Sequence, residues 1–104
     1  MGKRGNFRHR ERLRRRLAER EDVCWLCLGA RGPLDLSIPA GHPLSVEIDE
    51  EVPVSKGGSP VDEGNCHLVH RACNLQKGAR ILPRGAFAAA DARPPRPETS
   101  REWF

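Results

Sequence analysis

The sequence has few aromatic residues and no long apolar run. Its 104 residues include three Phe, two Trp and no Tyr, and 38% of them are hydrophobic. No stretch approaches the roughly 18 apolar residues of a membrane span, and the arginine-rich N terminus lacks the apolar segment of a secretory signal. We therefore expect a soluble, cytoplasmic protein with no membrane partner. One small domain is the most that this length supports, and its hydrophobic core alone would be marginal.

Four cysteines offer a second source of stability. In a reducing compartment they are not expected to form disulfides, and the pair Cys24-x-x-Cys27 has the spacing of metal ligands. His70-x-x-Cys73 repeats that spacing, so these four side chains are the favoured ligands of a structural zinc ion. The second ligand pair could instead include Cys66 or His67, and both alternatives stay open.

The basic residues are concentrated at the N terminus. Residues 1–20 contain nine Lys and Arg against two Glu, whereas the whole chain carries a net charge of +4. Residues 1–21 are interpreted as a basic arm, helical from about residue 8 because Leu13 and Leu17 are one turn apart. We expect its arginines to contact the phosphates of a nucleic acid, and the alternative is a solvated helix. The arginines in question are Arg12, Arg14, Arg15 and Arg16.

The remaining sequence predicts a small α+β domain at residues 22–82, followed by a tail. Residues 44–54 and 65–70 have the Val- and Ile-containing patterns of strands, and residues 72–80 favour a helix. Residues 83–104 form a tail rich in Pro and Arg, for which a flexible conformation is expected. Whether Trp103 and Phe104 at its end dock on the domain or on a partner is left open.

The residues between the two predicted ligand pairs resemble a known pattern. Asp49-Glu50-x-x-Pro53 is followed by the loop Ser55-Lys56-Gly57-Gly58, then by Asn65, and then by His70-x-x-Cys73-Asn74 with a basic residue at Lys77. Over residues 24–80 this order and spacing resemble the HNH endonuclease family, particularly its small phage-encoded members. The resemblance implies the ββα-metal (His-Me finger) fold, two strands and a helix around a catalytic ion, with the zinc site beside them. Outside this domain we expect flexible N- and C-terminal extensions.

The resemblance also implies roles for individual residues. Asp49 and Asn74 would hold a catalytic Mg²⁺ or Mn²⁺, and Asn65 would brace the loop and orient the general base, although Asn65 could instead be a turn residue. The family has its general-base histidine at the position of Glu50. We expect Glu50 to serve as a weaker base; the alternatives are an acidic surface residue in a catalytically impaired relative, or recruitment of His42 or His67.

The resulting expectation is a metal-dependent DNA endonuclease that hydrolyses phosphodiester bonds in one or both strands with weak sequence specificity. Lys77 and the basic arm would contact DNA phosphates. The alternatives are a zinc-containing nucleic-acid-binding module without activity, or an accessory protein of phage DNA packaging that binds terminase components. In an ideal strand, Asp49 and Glu50 point to opposite faces. Their convergence on one site therefore requires the strand to bend near Val52 and Pro53.

Overall fold

The computed structural model describes residues 2–88, with side chains from residue 8 onward. The order of elements is helix α1 (Gly2–Arg20), strand β1 (Val46–Glu50), strand β2 (Cys66–His70) and helix α2 (Arg71–Lys77). The predicted α+β class is confirmed. The end of the tail, with Trp103 and Phe104, lies outside the described residues. No helix within the described part of the chain is both long enough and apolar enough to cross a membrane.

Helix α1 belongs to the folded domain. Leu13 and Leu17 are fully buried, and they form one hydrophobic cluster with residues of both strands, Val46, Cys66 and Leu68. The prediction of a helix is confirmed, but the expected flexible N-terminal extension is wrong for the second half of the helix. The physical reason is the pair of leucines one turn apart, which needs an apolar partner, and the sheet supplies it.

The two strands pair in antiparallel orientation, with Val46 opposite His70 and Glu50 opposite Cys66. Because side chains alternate along a strand, Val46 and Ile48 pack towards α1. Glu47 and Asp49 lie on the other face of β1, where they contact α2. The short sheet therefore separates two different environments, one apolar and one charged.

A second hydrophobic cluster lies beside the loop that contains Cys24 and Cys27. It is made of buried residues of that loop, β2 and α2, and Phe87 packs against it. The backbone N–H of Gly85 donates to the carbonyl of Trp25 (2.9 Å), and that of Phe87 donates to Leu26 (2.8 Å). The first residues of the predicted tail thus complete the backbone hydrogen bonding of this loop, so the folded part extends past residue 82.

The packing of α1 predicts the effect of truncating its buried face. Leu17→Ala should lower the free energy of unfolding by about 2–5 kcal/mol, since it removes a fully buried side chain from the cluster shared with the sheet. Denaturant unfolding of the zinc-loaded chain measures this change. Arg15→Ala, on the exposed side of the same helix, is the matched control and should change stability by less than about 0.5 kcal/mol. Equal, small effects of both substitutions would show that α1 does not pack on the sheet.

Candidate metal centre and the adjacent acidic face

Four buried side chains converge where the loop after α1 meets the junction of β2 and α2. The ligand atoms of Cys24, Cys27, His70 and Cys73 all lie within 4.8 Å of one another. His70 is the last residue of β2, and Cys73 lies in the first turn of α2. Three sulfurs and one imidazole nitrogen in this arrangement fit a structural zinc site. The structure therefore brings together the four ligands predicted from their spacing.

The orientation of His70 suits metal coordination. Its Nδ1 lies 3.5 Å from Sγ of Cys27 and 3.9 Å from Sγ of Cys73. Its Nε2 lies 3.2 Å from the carbonyl oxygen of Pro33. A carbonyl oxygen only accepts, so Nε2 carries the hydrogen and Nδ1 turns its lone pair towards the thiols.

Charge compensation at the cluster comes from Arg31. Its guanidinium donates one hydrogen bond to Sγ of Cys73 (3.1 Å) and another to Oε1 of Gln76 (2.8 Å). A divalent ion with three thiolates would carry a net charge of −1. A cation at this position therefore offsets the excess negative charge of the loaded site.

The three cysteines of the cluster differ from Cys66 in the surroundings of their thiols. A hydrogen bond with Cys73 is the main cause that lowers the pKa of Cys24 to about 3, and the same contact raises the pKa of Cys73. Burial raises the pKa of Cys66 to about 11, and its Sγ faces the carbonyl oxygens of Ser59 and Pro60 instead of the cluster. Cys66 therefore stays a protonated thiol and is not among the converging ligands.

The predicted ligands of the catalytic ion lie where the face of β1 turned away from α1 meets α2. The side chain of Asn74 donates to Oε1 of Glu47 (2.9 Å), and Arg71 donates to the other carboxylate oxygen of Glu47 (3.1 Å). Lys77 donates to Oδ1 of Asp49 (3.1 Å). Asp49 and Asn74 thus lie on the same side of the sheet, but each bonds to a different residue. The sequence did not point to Glu47, although its position two residues before Asp49 places it on that face.

Lys77 does not take the surface position predicted for a phosphate contact. Its side chain is only 1% exposed, and its ammonium donates to Asp49 and to the backbone carbonyl of Glu50. Asp49 is 4% exposed, so its carboxylate needs a buried counter-charge. Lys77, the last residue of α2, lies within reach of that carboxylate. That pairing removes Lys77 from the surface.

Asp49 retains one carboxylate oxygen that could accept a ligand. Its Oδ2 is buried and has no hydrogen-bond partner within the described part of the chain. Burial raises the pKa of Asp49 above its ordinary value, and the hydrogen bond from Lys77 opposes this only in part. A buried carboxylate oxygen without a donor fits a hard divalent cation, for which Asn74 would be the second oxygen ligand. Among the described His, Cys, Asp and Glu side chains, the zinc cluster is the one group of three or more that could hold an ion.

Glu50 lies on the opposite face of the sheet from Asp49. Its Oε2 accepts a hydrogen bond from Arg10 of α1 (3.0 Å), which also donates to the carbonyl of Pro60. Strand β1 continues through Glu50, and the chain bends only at Glu51 and Val52. The expected bend therefore comes after both residues, and the structure does not bring Glu50 and Asp49 together.

Asn65 joins the two ends of the loop between the strands. Its Oδ1 accepts from the backbone N–H of Val52 (2.9 Å), and its Nδ2 donates to the carbonyls of Val52 (3.1 Å) and Ser59 (3.0 Å). Gly58 fits beneath this contact, because a Cβ atom there would lie 1.6 Å from the oxygen of Val52. Asn65 braces the loop in this way, and its side-chain bonds go to the backbone instead of to Glu50.

The predicted phosphate contacts of the basic arm divide into two groups. Arg12 and Arg15 are exposed on α1. Arg14 donates to the carbonyl of Val46 (2.9 Å), and Arg16 pairs with Glu63 (3.2 Å). Arg16 is also exposed, so three of the four arginines lie on the surface. Arg14 ties α1 to the sheet, and Arg16 ties it to the loop before β2.

His42 and His67 are the two histidines considered as substitutes for the general base. His67 lies opposite Asp49 in the sheet. Its Nδ1 is 3.2 Å from Glu21 and its Nε2 is 3.1 Å from Glu51, while its ring stacks on Trp25 at 4.1 Å. His42 instead accepts a hydrogen bond from the backbone N–H of Leu44 (3.0 Å) within a turn. Both ring nitrogens of His67 are therefore engaged by carboxylates.

The metal centre predicts a clear difference between cysteines. The purified chain should contain one zinc ion, and Cys27→Ala should lose it together with cooperative unfolding, because three ligands hold zinc far less tightly than four. Metal analysis and thermal unfolding with and without a chelator measure both effects. Cys66→Ala is the matched control, a buried cysteine outside the cluster, and should keep full zinc. A chain without zinc, or equal zinc loss in both variants, would contradict the assignment.

His67 predicts a pH dependence of stability. Burial lowers its pKa, but the hydrogen bonds with Glu21 and Glu51 outweigh burial, so the pKa lies above the ordinary histidine value. A raised pKa in the folded state stabilises the fold fully below about pH 6.5, and this contribution is lost as the pH rises through the folded-state value. The melting temperature of the wild-type chain should fall across that range, and that of His67→Gln should fall less. An identical pH profile for His67→Gln and the wild type would contradict the prediction.

No family model matches the chain, and neither a curated protein nor a solved structure matches it. The likeness of residues 24–80 to the HNH pattern therefore depends on those residues themselves. Any functional assignment has to follow from the chemistry of the zinc cluster and the acidic face beside it.

Proposed function

We propose that the chain is a metal-dependent DNA endonuclease of HNH type, built as a ββα-metal domain. The observation that carries this proposal is the buried Oδ2 of Asp49, which has no hydrogen-bond partner among the described residues and lies on the sheet face shared with Asn74. The order of elements supports it. The chain runs from Cys24 and Cys27 through β1, the loop braced by Asn65 and β2 to α2, which is the order that the resemblance implies. Zinc would hold this framework together, and the acidic face would carry the reaction.

Asp49 and Asn74 are the proposed ligands of the catalytic Mg²⁺ or Mn²⁺. Both offer oxygen, which these hard cations prefer. When bound, such an ion polarises the phosphodiester and stabilises the leaving oxygen. The chain itself contributes by holding Asp49 in a site of low exposure, where Coulomb interactions are strong.

Glu50 is the proposed general base. Its carboxylate can accept a proton from water only after the hydrogen bond from Arg10 is released. A DNA phosphate can compete for that guanidinium, because arginine binds phosphates and carboxylates with the same donor geometry. Since Glu50 is the last residue of β1, we propose that opening at this strand end on DNA binding moves its side chain towards Asp49.

DNA is the proposed substrate because the surface of α1 is strongly basic. Arg12 and Arg15 are exposed, and Arg10 lies at the candidate base. These residues would contact backbone phosphates, which carry no base sequence information. Weak sequence specificity is therefore expected, with an affinity that falls as salt is raised.

A plasmid-nicking assay with the zinc-loaded chain tests this proposal. Mg²⁺ or Mn²⁺ should be required for product, and Asp49→Asn should abolish this metal-dependent activity. Glu50→Gln should lower the rate by about 10²–10⁴-fold, the usual contribution of a general base. Glu63→Gln is the matched control, since Glu63 also pairs with arginines of α1 but lies away from the acidic face. Zinc content verifies the fold of each variant.

Two results would contradict the nuclease. One is the absence of any metal-dependent product with Mg²⁺ and Mn²⁺, and the other is a product that persists in Asp49→Asn. Glu50→His adds a further comparison, because a histidine at this position is a stronger base by about two pKa units. A higher rate in this variant would identify the side chain at position 50 as the proton acceptor.

A second candidate is a zinc-containing nucleic-acid-binding module without activity. The ion pairs of Asp49 with Lys77 and of Glu50 with Arg10 favour it, since both candidate catalytic carboxylates already hold a cation of the chain. The same assay separates the two functions. DNA retained by the zinc-loaded chain without cleavage, with either metal, would support the module and contradict the nuclease.

A further inference from the structure

The ion pair of Lys77 with Asp49 lies inside the proposed catalytic-metal site. Nζ of Lys77 is 3.1 Å from Oδ1 of Asp49 and 3.0 Å from the carbonyl oxygen of Glu50, and the side chains of the ion pair are 1% and 4% exposed. An ammonium group at this depth is unfavourable unless a partner neutralises it. Here the partner is the same carboxylate that would bind the divalent ion.

Each of the two β1 carboxylates on this face is paired with a cation of α2. Glu47 is paired with Arg71, and Asp49 is paired with Lys77, so two carboxylates face two cations of α2. A divalent ion that binds Oδ2 of Asp49 would stand beside the ammonium on Oδ1. Repulsion between a +2 and a +1 charge bound to the two oxygens of one carboxylate is large, because little water screens a buried site.

We propose that Lys77 is an internal counter-ion of the Asp49 site, which lowers the affinity of that site for a divalent cation. The inference rests on the proposed function. Lysine suits this role because its charge is a point on a four-carbon stem, which can withdraw from Oδ1 without moving the helix. The ammonium stabilises the buried carboxylate while the metal is absent, and a divalent ion has to displace it.

Binding of Mn²⁺ alone to the full-length, zinc-loaded chain tests this inference, with free Mn²⁺ measured by electron paramagnetic resonance. Lys77→Met keeps the length and apolar stem of the side chain but removes the charge, and Lys77→Gln also keeps a hydrogen-bond donor. Both should bind Mn²⁺ at least about tenfold more tightly than the wild type. Lys77→Arg is the matched control because it keeps the charge, and it should bind no more tightly than the wild type.

The outcomes distinguish this inference from the proposed function. If the neutral variants bind Mn²⁺ no more tightly than the wild type, and Asp49→Asn abolishes binding in all of them, the counter-ion role is wrong and the metal site stands. If no variant binds Mn²⁺, including the wild type, the metal site of the proposed function fails. A purely structural Lys77 would leave Mn²⁺ affinity unchanged or weaken it on substitution, so tighter binding is specific to a counter-ion.

A measurement on the wild-type chain covers the case in which the neutral variants do not fold. The chain has three lysines, Lys3, Lys56 and Lys77, so nitrogen-15 labelling of lysine gives few side-chain signals. Titration with Mg²⁺ should shift the Nζ signal of Lys77 and leave the exposed Lys56 unchanged. An unchanged Lys77 signal at Mg²⁺ concentrations that displace bound Mn²⁺ would overturn the inference.

Discussion

Convergence of four ligand atoms at one point is the constraint on which the rest of the structure depends. Cys24 and Cys27 belong to a loop after α1, whereas His70 and Cys73 belong to the β2–α2 junction, so the centre joins segments far apart in the chain. Only ten hydrophobic residues are buried in the described part of the chain, in two separate clusters. With so little core, zinc bound at this cluster would supply folding free energy, because it would hold β2 against the loop and orient α2 along the sheet.

The two faces of the sheet then acquire different chemistry. One face packs on the leucines of α1, and the other meets the charged side of α2. The acidic residues of β1 alternate between these faces, and each finds a cation on the helix that it meets: Glu47 with Arg71, Asp49 with Lys77, and Glu50 with Arg10. Each of these carboxylates is therefore paired with a cation of the chain before any ligand is present.

This internal pairing links the proposed nuclease to the inferred role of Lys77. A phosphate would compete with Glu50 for Arg10, and a divalent cation would compete with Lys77 for Asp49. Binding of DNA would release the Glu50 carboxylate, and binding of the divalent cation would release the Lys77 ammonium. When both bind, the released negative and positive charges offset each other, so fewer charges stay unbalanced than after either event alone. Under the proposed function, the acidic face would become reactive only when DNA and the divalent ion are both bound.

Sequence patterns alone predicted the four Cys and His side chains that converge, the α+β class and the approximate positions of both strands and both helices. Those features depend on short spacings, such as the x-x interval within each ligand pair, and on the local alternation of apolar residues. Three features became apparent only in the folded chain: the packing of α1 in the core, the burial of Lys77, and a bend that follows Glu50 and leaves it apart from Asp49. Arg10 is 40 residues from Glu50, and Lys77 is 28 residues from Asp49. No local pattern encodes such a pair, because it follows from how each helix packs on the sheet and from the cost of burying a charge without a partner.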